Sequence, residues 1–569
     1  MFANLSSNIT DYLHWEWADI EPFAKELEER PLDAGNVNQW LADWSKITRI
    51  VQETNSRLYV ATTLNTTDEQ AVSRYHHHLE FVIPPVMAAE QKLKEKLLAS
   101  GLEPDGFEIP LRNMRVEAEI FREENLPLFT ELGKLGTEYD KIIGAQTVEW
   151  AGKEMTLAQM RPIFQDADRP TREQIWRQSA NRRLADRAAL NELWTKFLKL
   201  RRQIAANAGF EDFRAYQWRA FGRFDYSPED CESFQRAIEQ VVVPAANRIY
   251  DKMRQRLGVS SVRPWDVEAD VFSLGNSALR PFEDDETLID TTARIFDRVD
   301  PQLGSFFGTM RRESLLDLAN RKGKAPGGYC TTFPYSKRPF IFMNAVGLHD
   351  DVQTLLHEGG HAFHAFEASA QPYIQQQDVP IEFAEVASMS MELLAQPYLT
   401  KDQGGFYAQA EASLATIEHL ERLILFWPYM AVVDAFQHWV YTHADAAENP
   451  DNCDQKWVEI WDRFIPGVDF SGLDDVKETG WHRKLHIFQI PFYYVEYGLA
   501  QLGAVQVWGN SLTDQTKSVA DYRKALALGG TVTLPELFST AGARFSMDPA
   551  TMQAAVDLVE SKLTELEQA

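Results

Sequence analysis

The sequence predicts a mostly α-helical fold with one small β element, and three observations lead there. Apolar residues recur at helical spacing through residues 68–101, 110–145, 170–208 and 228–258, each run with a charged outer face. The clearest strand signal lies in 323–344. No internal repeat, low-complexity tract or long flexible linker breaks the pattern. The length of 569 residues allows several domains, although helical chains of this size often bury one long core instead. Apolar residues make up 44% of the chain, enough for a packed interior and against large-scale disorder.

Along the chain, His76-His77-His78 fall on the first long helical run, where consecutive residues point in different directions, so they read as surface rather than as a metal site. The segment from Arg169 to Arg202 is dense in arginine but interleaved with Asp186, Glu192 and apolar residues, which suits a solvated helix pair better than a nucleic-acid face. Val259 to Glu286, rich in Pro, Asp and Ser, reads as an irregular connection. Near the end, Asp548 sits at an N-cap position with Pro549 at N1, a normal helix start. The longest apolar run, Leu423 to Val433, contains Pro428 and is too short to span a bilayer.

Charge and cysteine usage narrow the function classes. The formal net charge is −27, from 57 basic and 84 acidic residues, which argues against binding to nucleic-acid phosphates or to an anionic membrane. The odd number of cysteines (Cys231, Cys330 and Cys453) lies far apart without metal spacing and suggests free thiols in a reducing compartment. Met1-Phe2-Ala3-Asn4-Leu5-Ser6 has neither a basic n-region nor an apolar h-region. The expectation is a cytoplasmic, soluble protein.

Chemistry concentrates in His357-Glu358-Gly359-Gly360-His361. On a helix the two imidazoles stand one turn apart on one face, able to share a metal ion, with Glu358 beside them to take a proton from a water at that ion. This is the His-Glu-x-x-His arrangement of zinc peptidases. Helicity is supported by apolar residues at Val352, Leu355, Leu356, Phe363 and Phe366, with an acidic residue in His349-Asp350-Asp351 suited to N-capping. Paired glycines inside a helix cost about 1 kcal/mol each, so they imply that another backbone passes close by. The competing reading is a core helix with internally bonded histidines.

Catalytic zinc sites usually have three protein ligands. Downstream, Pro380 suits a helix start, and Glu385, Ser388, Met389 and Glu392 then share a face. One carboxylate there can ligate the metal, and the other can accept the second ring N–H of a ligating histidine. Phe383, Ala384, Val386 and Ala387 argue that Glu385 is buried, whereas Glu382 reads as solvated.

In the strand region, Gly327-Gly328 precede Tyr329-Cys330-Thr331-Thr332-Phe333, a turn with Pro334 and Lys337 follows, and Phe340 to Asn344 complete a hairpin. Its edge can pair with an extended peptide through the backbone at Gly327, Gly328 and Tyr329. No strand-Gly-Lys-Ser/Thr-helix pattern supports a nucleotide site.

His357-Glu358-Gly359-Gly360-His361, followed by Phe383-Ala384-Glu385-Val386-Ala387-Ser388 and Glu392, resembles the thimet oligopeptidase and oligoendopeptidase F family of zinc metallopeptidases, with the closer likeness to the bacterial oligoendopeptidase F branch. Ile204 to Phe213, Pro264-Trp265-Asp266 and Lys324 to Cys330 extend the resemblance over residues 200 to 545, while the first 160 or so match only in helical character. The resemblance implies one zinc ion held by His357, His361 and Glu385, with Glu358 as base and Glu392 behind a ligating histidine. His364 is expected to pack or hydrogen-bond rather than ligate. The family also has a histidine followed by tyrosines that bond the substrate carbonyl. His486, Tyr494 and Tyr497 are the choices here, although the spacing departs from the thimet branch by about a residue.

The expected protein is thus a multi-helix zinc endopeptidase acting on short unstructured oligopeptides. The resemblance further implies two lobes around a deep central cleft, with residues 1–165 as a helical lid or cleft wall and 166–569 as the catalytic region. The alternatives are a carboxypeptidase-type exopeptidase on the same scaffold and a catalytically silent peptide-binding protein. Monomer or homodimer is left open.

Overall fold

The computed structural model describes residues 1–157, 160–267, 279–321, 323–325 and 327–568, without the side chains at 137, 140, 141, 161 and 162. Residues 268–278 of the expected irregular connection, and Pro326 of the glycine-rich segment, lie outside the described residues.

The chain is mostly helical, as its periodicity predicts. The first long run is continuous from Glu69 to Ser100, passing through a π-helical stretch at His78–Val82. A second such stretch, Ile238–Val242, interrupts the run from Pro228 to Leu257. Both precede prolines, Pro84-Pro85 and Pro244, whose missing N–H and ring bulk a wider turn accommodates. The runs expected over 110–145 and 170–208 are each broken, into Glu108–Ile120 with Leu126–Gly144 and into Arg169–Leu184 with Arg187–Asn207. The last helix, Pro549–Gln568, begins as expected, with Asp548 accepting from the Thr551 N–H at 2.8 Å.

Among the described residues there are five strands: β1 (Thr147–Trp150), β2 (Lys153–Thr156), β3 (Leu316–Ala319), β4 (Tyr329–Phe333) and β5 (Arg338–Ala345). β4 and β5 form the predicted antiparallel hairpin, with Tyr329 opposite Phe342 and Phe333 opposite Arg338. Unpredicted is β3, which runs parallel to β5 and gives the order β3-β5-β4. Also unpredicted is the β1–β2 hairpin, closed by Ala151 and Gly152, both at positive φ. That is the two-residue turn whose twist matches paired strands.

By contacts the chain divides into two compact units. The first comprises Met1–Glu119, Leu279–Ser413 and Ala500–Phe545; the second comprises Ile120–Ala278, Leu414–Leu499 and Ser546–Ala569. The first unit holds the three-stranded sheet, the helices His349–Ala368 and Ile381–Leu394, and an aromatic-rich core around Trp40, Trp44 and Phe107. The second is built around long helices with buried Trp194, Trp427, Trp457 and Trp481.

Some surface expectations are corrected. His78 is buried at 4% exposure, unlike its neighbours His76 and His77. Within the arginine-dense run, Arg172 and Arg201 are buried rather than solvated. Arg172 and Arg169 both pair with Asp266, which is 0% exposed, so the Pro264-Trp265-Asp266 element serves an internal ion-pair cluster. Glu382 is buried at 5% exposure, not solvated.

Candidate metal centre

The helix His349–Ala368 starts at a boundary set by Asp351, whose carboxylate accepts from the Val346 and Leu348 N–H groups at 2.8 Å each. The acidic residue expected to cap this helix thus acts from its first turn rather than from the N-cap position. Four residues apart on this helix, the His357 and His361 rings face each other with centroids 4.9 Å apart and planes at 83°. The helix Ile381–Leu394 crosses them closely. A Cβ on Gly360 would lie 2.5 Å from Ser388 Cα and 2.6 Å from the Ala387 carbonyl oxygen, and one on Gly359 would lie 2.5 Å from the Phe296 ring. The paired glycines therefore admit a neighbouring backbone on one side and an aromatic ring on the other. Tyr522, fully buried, donates to the Ala387 carbonyl at 2.9 Å and holds the crossing helix in place.

That crossing brings Glu385 to both imidazoles. Its Oε2 lies 3.4 Å from His357 Nε2 and 3.6 Å from His361 Nε2, and the three residues offer ligand atoms all within 4.8 Å of one another. Two ligands of a tetrahedral zinc ion, with bonds near 2.1 Å, stand roughly 3.4 Å apart. The donor set, two imidazole nitrogens and a carboxylate, suits a divalent metal, so the residues present fit the ion. Glu392 accepts from His357 Nδ1 at 2.7 Å, which leaves Nε2 as the ring nitrogen facing the shared point. Ser388 Oγ donates to Glu385 Oε2 at 3.1 Å.

The electrostatics separate the carboxyl groups. Burial works against ionising Glu385, but His361 and His357 outweigh it and hold the group at about 2. For Glu358, 7% exposed, burial prevails and pushes the carboxyl up to about 7, against His357 and the Cys330 backbone N–H, which donates to it. Cys330 lies on β4, an edge strand, so the sheet edge and the candidate base are directly linked. Burial lowers His361 to about 4, while hydrogen bonds to Glu385 and Glu392 overcome burial and raise His357 well above its ordinary value. His364 is buried against Phe383, its ring centroid 6.0 Å away, and does not join the cluster.

At the glycine-rich turn before β4, Asn344 Nδ2 donates to the carbonyls of Ala325 and Gly327 at 2.7 and 2.9 Å. The Gly327 carbonyl is thus already engaged. Gly328 packs against β5, and the Tyr329 ring stacks on Phe342 with its hydroxyl 2.6 Å from Thr63 Oγ1.

His486, Tyr494 and Tyr497 belong to the second unit and cluster with one another. Their ring centroids are 5.0 Å apart for His486–Tyr494, 5.9 Å for His486–Tyr497 and 5.5 Å for Tyr494–Tyr497. Buried arginines hold the segment. Arg201 donates to the carbonyls of Ile487 and Phe488, and Arg223 donates to the Phe492 carbonyl and pairs with Glu496 at 2.6 Å. Phe492 sits at φ +68°, a conformation that non-glycine residues seldom adopt, with its N–H on Gln437. Lys484, not singled out from sequence, places its ammonium 3.8 Å over the Tyr494 ring. Burial, with help from Arg483, lowers it to about 7. No periodicity marks such a residue; its place follows only from the fold.

Residues 163–557 match Peptidase family M3. Oligopeptidase PepF of Bacillus subtilis (strain 168) is 25% identical over 276 residues, 47% of this chain and 39% of the relative. The chromosomal oligoendopeptidase F of Lactococcus lactis subsp. cremoris is 27% identical over 274 residues, 45% and 41% of the two chains. The matched stretch spans about two-fifths of the length of these curated relatives. Among solved structures, PZ peptidase A with an inhibitor superposes with a TM-score of 0.89 at 27% identity, over 99% of each chain. Oligoendopeptidase-F from Enterococcus faecium shares the fold, with a TM-score of 0.62 at 12% identity over 97% of each chain. Since the family match takes in well over half of the sequence, including both helices of the histidine and glutamate cluster, the chain belongs to peptidase family M3.

Proposed function

We propose that this chain is a zinc-dependent endopeptidase that hydrolyses short, unstructured oligopeptides. The observation that carries the reading is the convergence of His357, His361 and Glu385 on one point beside a buried Glu358. The names of the similar proteins, oligopeptidase and oligoendopeptidase F, support it.

In this reading His357, His361 and Glu385 hold the zinc, and Glu392 keeps His357 in the ligating tautomer. When bound, the ion would supply Lewis acidity, polarising the scissile carbonyl and making a nearby water more acidic. Glu358 accepts the proton of the attacking water and returns it to the leaving amine, a task that its place beside both histidines on the same helix suits. The Cys330 N–H fixes that carboxylate, and the neighbouring backbone of β4, from Gly327 to Tyr329, would pair with extended substrate. His486, Tyr494 and Tyr497 are our proposal for donors to the developing oxyanion, each such donor being worth several kcal/mol.

The test is Glu358→Gln assayed on an internally quenched peptide blocked at both ends. The variant should retain wild-type metal content while turnover falls at least about a hundredfold. Unchanged turnover removes Glu358 from the chemistry. A wild-type enzyme that leaves the blocked peptide intact yet trims free ends is an exopeptidase instead.

A further inference from the structure

A second group of metal-ligating side chains lies in the second unit, apart from the chemistry assigned above. Cys231 sits on the helix Pro228–Ala237; Asp434 and His438 sit one turn apart on the helix Gln409–Thr442. They are 0%, 0% and 5% exposed, and their ligand atoms all lie within 4.8 Å of one another. We propose that Cys231, Asp434 and His438 form a structural zinc site.

Two independent observations point to an ion there. The first is unmet hydrogen-bonding capacity. Asp434 Oδ2 accepts from Gln235 Nε2 at 2.7 Å, but Asp434 Oδ1 and His438 Nε2 are buried without a hydrogen-bond partner. No arginine or lysine pairs with Asp434 among the described residues; its one basic neighbour is His438, and a buried carboxylate oxygen without a partner is costly. The second is spacing. His438 Nε2 and Asp434 Oδ2 stand 3.5 Å apart, long for an N–H···O bond but between the 3.4 and 3.6 Å separations at the first centre.

The donor chemistry selects the ion. A thiolate, a carboxylate and a neutral imidazole around a divalent cation sum to zero charge, which suits a dry interior. Sulfur excludes magnesium and calcium and favours zinc. Coordination through Nε2 places the imidazole proton on Nδ1. The Arg214 guanidinium, 3.4 Å from Nδ1, would then turn toward Glu232, whose carboxylate is 3.9 Å from it. The site would brace the segment behind Tyr494, since Gln437 accepts the Phe492 N–H and the Phe492 ring lies 5.3 Å from His438.

The experiment is metal counting on purified protein, followed by replacement of the metal with cobalt(II). Wild type should carry two equivalents of zinc and Cys231→Ser one. Cobalt-loaded wild type should show a thiolate-to-cobalt charge-transfer band in the near ultraviolet, which the sulfur-free first centre cannot produce. The band should persist in His361→Ala and vanish in Cys231→Ser. Cobalt-loaded wild type without the band overturns the proposal even where Cys231→Ser fails to fold. A band that survives in Cys231→Ser assigns the thiolate elsewhere and overturns it too. An inactive protein that shows the band would sink the peptidase reading and leave this site standing.

Discussion

His357 Nδ1 lies 2.7 Å from a Glu392 carboxylate oxygen while Nε2 of the same ring lies 3.4 Å from Glu385, so one imidazole joins two carboxylates of a single helix. The two acids divide the labour by position: Glu385 faces the shared ligand point and Glu392 orients the ring from behind. We predict that Glu392→Ala weakens metal affinity by about 10–100-fold, the usual effect of removing such a partner. Competition with a calibrated chelator would measure it. Unaltered affinity would mean that packing alone orients His357.

Gly360 marks the closest approach of the two helices. Gly360→Ala places a methyl group 2.5 Å from Ser388 Cα, against backbone that cannot rotate away. We expect a loss of about 1–3 kcal/mol in unfolding free energy, together with weaker metal binding as Glu385 moves off the histidines. Gly133, also helical, is the control, because an added Cβ there meets no atom within 4 Å. Gly133→Ala should be neutral or stabilising by up to about 1 kcal/mol. Denaturant titration of both variants decides it; equal effects would remove the steric argument.

How much of this was legible in the sequence depends on the range of the interaction. The pairing of His357 with His361 follows from helical spacing alone, and Gly359-Gly360 announced the close crossing without naming the partner. That Glu385 and Glu392 share a face was readable, and the fold then set which one meets both histidines. Burial of Glu382, Arg172 and Arg201 was not readable, because polar residues are buried by partners distant in the chain. β3 escaped for a related reason. Four residues are too few to show a period, and this strand exists through its parallel pairing with β5. The alternation of chain segments between two units is likewise a matter of long-range contacts that no local pattern records.

Glu358 should leave a pH signature. Burial raises its carboxyl from 4.5 to about 7, so in that window the metal-free folded protein holds a proton that the unfolded chain has released. Stability contributed by the protonated group is therefore lost as pH rises through the window, by up to about 3 kcal/mol. Glu358→Gln cannot titrate. Its stability should gain on metal-free wild type between pH 4.5 and 7, measured by denaturant unfolding at each pH. Parallel curves would show that the carboxyl is already ionised at the low end.

Lys324 is buried beneath the three-stranded sheet, its ammonium 2.5 Å from the Asp317 carboxylate. It also donates to the carbonyls of Asp317 at 3.0 Å, Ala319 at 2.9 Å and Met343. Asp317 and Ala319 lie on β3 and Met343 on β5, so one cation ties the two strands together at the end where the glycine-rich turn begins. Burial lowers the lysine pKa, and Asp317 opposes that by stabilising the charge. Lys324→Met keeps the length of the side chain but removes the donor these three carbonyls share, while Asp317 retains Arg321 at 2.6 Å. Breaking a fully buried pair from one side costs about 3–5 kcal/mol; Asp317 is partly exposed and keeps Arg321, so this variant should lose no more than the lower figure. Because β5 positions β4, and the β4 residue Cys330 donates to Glu358, peptide turnover should fall along with stability. Unfolding free energy and turnover, measured on the same preparation, test both. A variant as stable as wild type would show that the sheet holds its register without the lysine.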